Sequence, residues 1–219
     1  MSASPLSARV KICGLSTPET VDAALTAGAD WIGLVHFLRS PRHVTFEQAS
    51  KLAAQARGRA ERVVLLVDPD DALVRAAVEA VDPDLIQLHG HERPERVAAI
   101  RALAGRPVMK AIGVATRADL ESIPAYDAVA DRILLDAKPP AGGGLPGGNG
   151  HRFDWAILAD AVLPAGTMLS GGLDVGNVGG ALIRTGLGAV DVSSGVESAP
   201  GLKDPEKIAA FVAAVQAAR

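Results

Sequence analysis

Two residues have the chemistry of a proton-transfer pair, and each ends an apolar run. Cys13 closes the run at 9–13, and Asp136 closes a second run. A thiol becomes a base near neutral pH when a nearby cation lowers its pKa, whereas burial would raise the pKa of the carboxyl and keep it protonated as a general acid. Structural interpretations stay open, because free cysteine is a common small core residue and Asp136 could pair with a loop N–H or with Lys138.

Small residues at two further run ends form a candidate phosphate site. Gly171 and Gly172 follow one run, and Ser193 and Ser194 follow the next. Glycine permits close backbone approach, and loop N–H groups bind phosphate, although such residues also serve simple turns. Asp191, two residues before Ser193, would point to the same side, where it either lines the site or makes an internal hydrogen bond.

Arg42 lies in a Ser-Pro-Arg turn, which could aim its guanidinium at a planar carboxylate, although loop arginines are usually solvated. A metal site is the alternative use of four run-end side chains, although no short ligand motif supports it. These candidate ligands are His36, Asp68, His89 and Asp136. The Gly/Pro-rich stretch 139–150 is long for a loop and is either a lid or disordered.

The elements that must position these residues are short apolar runs alternating with Ala-rich helical segments. The predicted strands are 9–13, 31–36, 62–67, 85–89, 108–112, 132–136, 167–170 and 189–193. The predicted helices lie near 18–27, 46–57, 70–80, 93–104, 116–123, 154–161, 175–185 and 205–218. Several helices open with a capping signature, such as Ser16 to Glu19 or Asp204 before Pro205.

Eight strand–helix units of this length predict an α/β fold, a single (β/α)8 TIM barrel over residues 1–219, with residues 1–8 as a flexible N-terminal extension. Nearly continuous apolar strands fit a sheet that is buried on both faces. An open doubly wound sheet would usually carry a Gly-rich fingerprint after its first strand, and only Gly14 stands there. Barrels place their chemistry at the carboxyl ends of the strands, where the candidate residues lie.

Composition excludes several classes of function. Charged residues make up 21% and the formal net charge is −3, which does not fit disorder or a basic nucleic-acid-binding protein. Aromatic residues are only 3%, which argues against stacking platforms. No apolar run is long enough for a membrane span, no signal peptide is recognised, and a single cysteine fits a reducing compartment. We therefore expect a cytoplasmic protein with a small-molecule partner and no nucleic-acid or membrane partner.

Eight motifs in register carry a family resemblance from about Val10 to Asp204. They are KICG at 11–14, SPRHV at 40–44, QLHG at 87–90, LLDAK at 134–138, FDW at 153–155, SGGL at 170–173, DVSSGVE at 191–197 and GLKD at 201–204. In this order the chain resembles the phosphoribosylanthranilate isomerase family of tryptophan biosynthesis. Departures fall between Gly33 and Ser40, where Arg39 could share a carboxylate with Arg42, and at Ser170, where alanine is common.

The resemblance implies a (β/α)8 barrel without metal or organic cofactor that performs an Amadori rearrangement of N-(5'-phosphoribosyl)anthranilate. It implies that Cys13 is the general base, Asp136 the general acid and Arg42 the ligand of the anthranilate carboxylate. It places the phosphate at the two small-residue loops, at Gly171, Gly172, Ser193 and Ser194.

Two other hypotheses remain at this level. One is a metal-dependent pentose-phosphate epimerase on the same fold, and the other is a non-catalytic module that binds phosphorylated ligands. The oligomeric state is open between a monomer and a homodimer.

Overall fold

The computed structural model describes residues 8–138, 147, 148, 150 and 152–218. Eight parallel strands form a closed barrel in chain order. They are β1 Arg9–Cys13, β2 Trp31–Val35, β3 Glu61–Leu66, β4 Leu85–Leu88, β5 Val108–Val114, β6 Arg132–Ala137, β7 Met168–Leu169 and β8 Ala189–Val192. Because β1 pairs with both β2 and β8, the ring has no open edge, and the predicted TIM barrel is confirmed.

Helices connect most of the strands. They are α1 Pro18–Ala27, α2 Phe46–Ala56, α3 Asp71–Val81, α4 Pro94–Ala104, α5 Ile123–Asp127, α6 Val178–Thr185 and α7 Pro205–Ala217. The cap predicted at Asp204 is confirmed, since its side chain accepts from the Glu206 N–H. Within the signature Ser16 to Glu19 the cap is Thr17, whose side chain accepts from the Thr20 N–H. Within the described ranges, no helix has the length and apolar character needed to cross a membrane.

Two predicted helices form 3-10 helix instead of α-helix. The segment at 116–123 is a 3-10 helix, Arg117–Ser122, that leads into α5, and the segment at 154–161 holds only the 3-10 helix Trp155–Leu158. In the second, Ala159 leaves the helical conformation with ψ of 131°, and Asp160 then adopts a left-handed backbone with φ of 60°, so the helix does not continue. Residues 139–146 and 149, which hold most of the stretch predicted as a lid or disordered, lie outside the described ranges, as do residue 151 and residues 1–7 of the predicted extension.

Alternation along the strands sends the polar residues into the barrel. Val10 and Ile12 belong to the core that includes the helices, whereas Lys11 and Cys13 take the opposite face. The floor of the barrel is a separate buried apolar cluster of Trp31, Val63, Leu85, Met109, Ala111, Leu134, Met168 and Ala189. Beyond this cluster, nearer the carboxyl ends, the inward positions are polar on β1, β4, β6 and β8, whereas β2 and β3 place Val35 and Leu65 there. The mouth therefore has a polar side and an apolar side.

A short hairpin follows β8 and reaches the loop after β2. Its strands are β9 Glu197–Ala199 and β10 Leu202–Lys203, which pair antiparallel. A side chain at Gly201 would collide with the carbonyl of Pro41, so the two loops touch backbone to backbone. This contact brings Arg42 within reach of the hairpin.

Candidate active site

A pocket of about 760 Å³ occupies the carboxyl-terminal mouth of the barrel. It is lined by strand ends and by the loops after β2, β6, β7 and β8. Every site residue proposed from the sequence contributes to its wall, namely Cys13, Arg42, Asp136, Gly171, Gly172, Asp191, Ser193 and Ser194. The structure therefore brings together residues up to 181 positions apart, which are Cys13 and Ser194.

The Cys13 thiol is buried among charged groups. Burial raises its pKa and the Asp191 carboxylate adds to that increase, whereas the Lys11 and Lys203 ammonium groups oppose it. Room for this arrangement comes from Gly33 on β2, where an added Cβ would lie 3.0 Å from both the Cys13 sulfur and Lys11 Nζ. The free protein therefore holds a protonated thiol with two cations placed to favour its ionised form.

Asp191 makes internal hydrogen bonds, which was one of the two interpretations of this residue from the sequence. Lys11 Nζ donates to its Oδ1 at 2.7 Å, and the Ser170 hydroxyl lies 3.1 Å from its Oδ2. Burial acts to lower the pKa of Lys11, but Asp191 and Cys13 outweigh it, so the pKa is raised and the ammonium stays charged. The carboxylate is thus both fixed internally and part of the pocket wall.

Asp136 faces an imidazole. Its Oδ2 lies 3.1 Å from His89 Nε2, and its Oδ1 accepts the Ala137 N–H at 2.9 Å. On the other side of the ring, Gln87 Nε2 lies 3.0 Å from His89 Nδ1. The carboxyl is only 6% exposed, and Lys138, the alternative partner, instead pairs with Asp119 at 3.0 Å.

The Arg42 side chain is buried, and Glu197 binds one edge of its guanidinium. Its Nε and Nη2 donate to the two carboxylate oxygens of Glu197 at 2.7 and 2.8 Å, a two-point contact along one edge of the guanidinium. Nη2 also donates to the Gly148 carbonyl at 3.2 Å. The Ser40 hydroxyl accepts the Arg42 N–H in the preceding turn, and Gly14 leaves space for the side-chain stem. The predicted carboxylate ligand is therefore a rigid group, while Arg39 is exposed and lies outside the pocket lining.

The two small-residue loops have constrained backbones. Gly171 and Gly172 have φ of 88° and 62°, and an added Cβ at Gly171 would lie 2.6 Å from the Ala137 nitrogen. The Asn177 side chain donates to the Gly172 carbonyl at 3.0 Å and fixes that loop. Across the pocket, the Ser193 hydroxyl bonds the Cys13 carbonyl at 3.1 Å.

The four candidate metal ligands do not converge. His36 Nδ1 lies 2.9 Å from the Val44 carbonyl and its ring stacks on Phe46, and Asp68 bonds the exposed His91. Neither His36 nor Asp68 lines the pocket, whereas His89 and Asp136 do. Across the described residues, no three His, Cys, Asp or Glu side chains are grouped so as to hold a metal ion. The donor arrangement that the epimerase alternative needs is therefore not formed by these four residues.

Sequence reasoning assigned no role to several residues that shape the site. Lys11 and Gln87 each lie two positions before a strand-end residue, and their polarity inside an apolar strand was the signal that could have revealed them. Glu197 and Lys203 stand in quoted motifs, but the pairing that buries them depends on the hairpin fold.

A closed parallel (β/α)8 barrel with a polar pocket at its carboxyl-terminal mouth is typical of the TIM-barrel class of enzymes. The chain matches the family model described as N-(5'phosphoribosyl)anthranilate (PRA) isomerase over residues 10–214 and belongs to that family. The family and the isomerase activity in tryptophan biosynthesis that the motifs predicted are thereby confirmed.

Similar proteins agree in sequence and fold. A relative from Azorhizobium caulinodans, named N-(5'-phosphoribosyl)anthranilate isomerase, is 64% identical over 209 residues, which cover 95% of this chain and 92% of the relative. A phosphoribosyl anthranilate isomerase solved with reduced 1-(o-carboxyphenylamino)-1-deoxyribulose 5-phosphate has a TM-score of 0.82 at 31% identity, covering 95% of this chain and 98% of that one. Monomers generated from the dimeric enzyme of Thermotoga maritima give a TM-score of 0.81 at 32% identity with the same coverage.

Proposed function

We propose that this pocket converts N-(5'-phosphoribosyl)anthranilate to 1-(2-carboxyphenylamino)-1-deoxyribulose 5-phosphate with Asp136 as general acid and Cys13 as general base. The observation that carries the assignment is that both side chains line one pocket from β1 and β6, strands three positions apart around the ring of eight. A sugar held between them would present its ring oxygen to one group and its C2' hydrogen to the other.

The proposed reaction uses Asp136 in its protonated form and Cys13 as the thiolate. Protonated Asp136 donates to the ribose ring oxygen while the bond from C1' to that oxygen breaks, and the nitrogen lone pair forms an iminium ion. The Cys13 thiol gives its proton to solvent as the ammonium groups of Lys11 and Lys203 stabilise the thiolate. The iminium acidifies the C2' hydrogen, the thiolate removes it, and the C–H electrons form the C1'–C2' double bond of an enolamine while the C=N electrons return to nitrogen. The enolamine tautomerises to the aminoketone as the C2' hydroxyl loses a proton and C1' gains one. The Asp136 carboxylate regains its proton from solvent, which restores both groups for the next turnover.

The Gln87–His89 pair supports the acid role because it fits either protonation state of Asp136. With Gln87 Nε2 donating to Nδ1, His89 carries its proton on Nε2 and donates to the carboxylate. Gln87 Oε1 is buried and has no hydrogen-bond partner in the part of the chain that the structure describes. When the amide turns over, Oε1 accepts from Nδ1–H, and His89 Nε2 is free to accept the O–H of protonated Asp136.

Arg42 and the small-residue loops would anchor the two ends of the substrate. Glu197 occupies one edge of the guanidinium and leaves the Nη1/Nη2 edge, now facing Gly148, for the anthranilate carboxylate. The Gly171–Gly172 and Ser193–Ser194 loops would take the phosphate, with support from their positions at adjacent strand ends. Because one chain supplies every proposed site residue, we expect the monomer and the homodimer to be equally competent. A cytoplasmic location stays a prediction from the sequence.

Turnover of phosphoribosylanthranilate by single variants tests the two roles. We expect Cys13→Ala and Asp136→Asn each to lose roughly 10²–10⁴-fold in kcat, measured by loss of substrate fluorescence. Ser198→Ala on the exposed side of the hairpin is the matched control and should keep full activity. Undiminished turnover by either active-site variant, with an unchanged unfolding curve, would contradict the assignment.

A further inference from the structure

Glu197 is the centre of a buried charge cluster behind the pocket. Its Oε1 accepts from Arg42 Nε at 2.7 Å and from Lys203 Nζ at 2.6 Å, and its Oε2 accepts from Arg42 Nη2 and from the Gly201 N–H. Glu197 and Lys203 are register partners in the hairpin, and their side chains are 4% and 0% exposed. One carboxylate therefore faces two cations away from bulk water.

Lys203 connects this cluster to the base. Beyond Glu197, its Nζ donates to the Ser193 carbonyl at 2.8 Å and to the Ser193 hydroxyl at 3.1 Å. These three acceptors use all three ammonium protons. Because the Ser193 oxygen accepts from Lys203, its own proton is directed to the Cys13 carbonyl. A single side chain thus fixes the Ser193 loop and the end of β1.

The cluster has an excess positive charge on the side of Cys13. Lys11 and Asp191 cancel one another, whereas Arg42 and Lys203 together exceed Glu197 by one charge. Lys11, Asp191 and Lys203 act directly on the pKa of Cys13, whereas Arg42 and Glu197 act on Lys203. From α7, Lys207 donates to the Glu197 backbone carbonyl at 2.7 Å. Burial lowers the pKa of Lys203 to about 8, against the opposing effect of Glu197, so the side chain is still a cation at neutral pH.

We propose that Lys203 is a positioning residue for the isomerase, which holds Ser193 against Cys13 and supplies the uncancelled positive charge that favours the Cys13 thiolate. Arg42 cannot supply it alone, because Glu197 neutralises one of the two cations. The expected effect of Lys203 on turnover rests on the proposed function, in which Cys13 is the base. The effect on the thiol is a separate physical property of the protein.

The chain has one cysteine, so thiol alkylation reports Cys13 alone. We would measure alkylation by iodoacetamide at pH 7, below the pKa of about 8 for Lys203, in the purified protein, in Lys203→Met and in the double variant with Glu197→Gln. In these proteins Arg42, Glu197 and residue 203 carry net charges of +1, 0 and +1. Because the reactive form is the thiolate, alkylation should be slower by about threefold or more in Lys203→Met and should return to the wild-type rate in the double variant.

The matched control is Lys110→Met, because Lys110 and Glu92 form a second buried pair with the same 2.6 Å separation. It should destabilise the fold without changing the alkylation rate of Cys13. If Lys203→Met does not fold, Lys203→Gln, which keeps a hydrogen-bonding side chain without the charge, takes its place and should show the same slower alkylation. Equal alkylation rates in the wild type and the folded uncharged variant would overturn the proposal, whereas slower alkylation with undiminished turnover would overturn only the role of Cys13 as base.

Discussion

The two sides of the pocket surround the proposed proton-transfer groups, Cys13 and Asp136, in different ways. On the base side, Cys13 is surrounded by full charges from Lys11, Asp191 and Lys203. On the acid side, Asp136 contacts an imidazole and a backbone N–H, with Gln87 behind the ring. A base gains from cations that stabilise its ionised form, while an acid that must keep its proton is better served by groups that can donate or accept. The difference explains why the two sides use different residue types.

The largest effect on the free energy of unfolding is expected around Cys13, where the charges of Lys11 and Asp191 are buried. Lys11→Met leaves the Asp191 carboxylate with only the Ser170 hydroxyl, and we expect the free energy of unfolding to fall by roughly 3–5 kcal/mol in urea denaturation. Lys11→Met combined with Asp191→Asn removes both charges and should recover most of that loss. Equal losses in the single and double variants would mean that the pair is not electrostatically coupled.

The acid side should respond more in activity than in stability. His89→Leu removes the ring that faces Asp136, and we expect kcat/KM to fall roughly 10–100-fold, less than for loss of the acid itself. The free energy of unfolding should fall by only about 1–2 kcal/mol, the cost of unpaired hydrogen-bonding groups. In an Asp136→Asn background the same substitution should cost little further activity, because the two residues act as one unit. If the losses of activity from the two substitutions were fully additive, His89 would not act through Asp136.

A smaller effect is expected where the β7 loop touches the acid strand. Gly171→Ala must adopt a left-handed φ of 88° and push against the Ala137 nitrogen, so stability should fall by about 1–2 kcal/mol and KM should rise. Gly180→Ala in α6 is the matched control, since no atom lies within 4 Å of its added Cβ, and there we expect a gain of about 0.5–1 kcal/mol. The comparison is made by thermal unfolding. Similar responses of the two variants would contradict the steric argument.

Much of the fold was predictable because each strand is a short apolar run, which is a local property of the sequence. The eight barrel strands lie within two residues of their predicted bounds. The helix predicted at 154–161 was wrong in extent, because the left-handed Asp160 backbone is not visible in composition. Cys13 and Asp136 were predictable because polar residues at the ends of apolar strands are conspicuous. The partners Glu197 and Lys203 were not, because their burial depends on a hairpin that contacts a loop 160 residues earlier, at Pro41 and Gly201.

The most direct test of the account is a crystal structure of this chain with reduced 1-(o-carboxyphenylamino)-1-deoxyribulose 5-phosphate, the compound present in one similar isomerase. We predict the Cys13 sulfur within about 3.5 Å of C2', with the Asp136 carboxyl on the other side of the sugar chain and the carboxylate on Arg42. A complex in which the Asp191 carboxylate lies nearer to C2' than the Cys13 sulfur would contradict the assignment of the base.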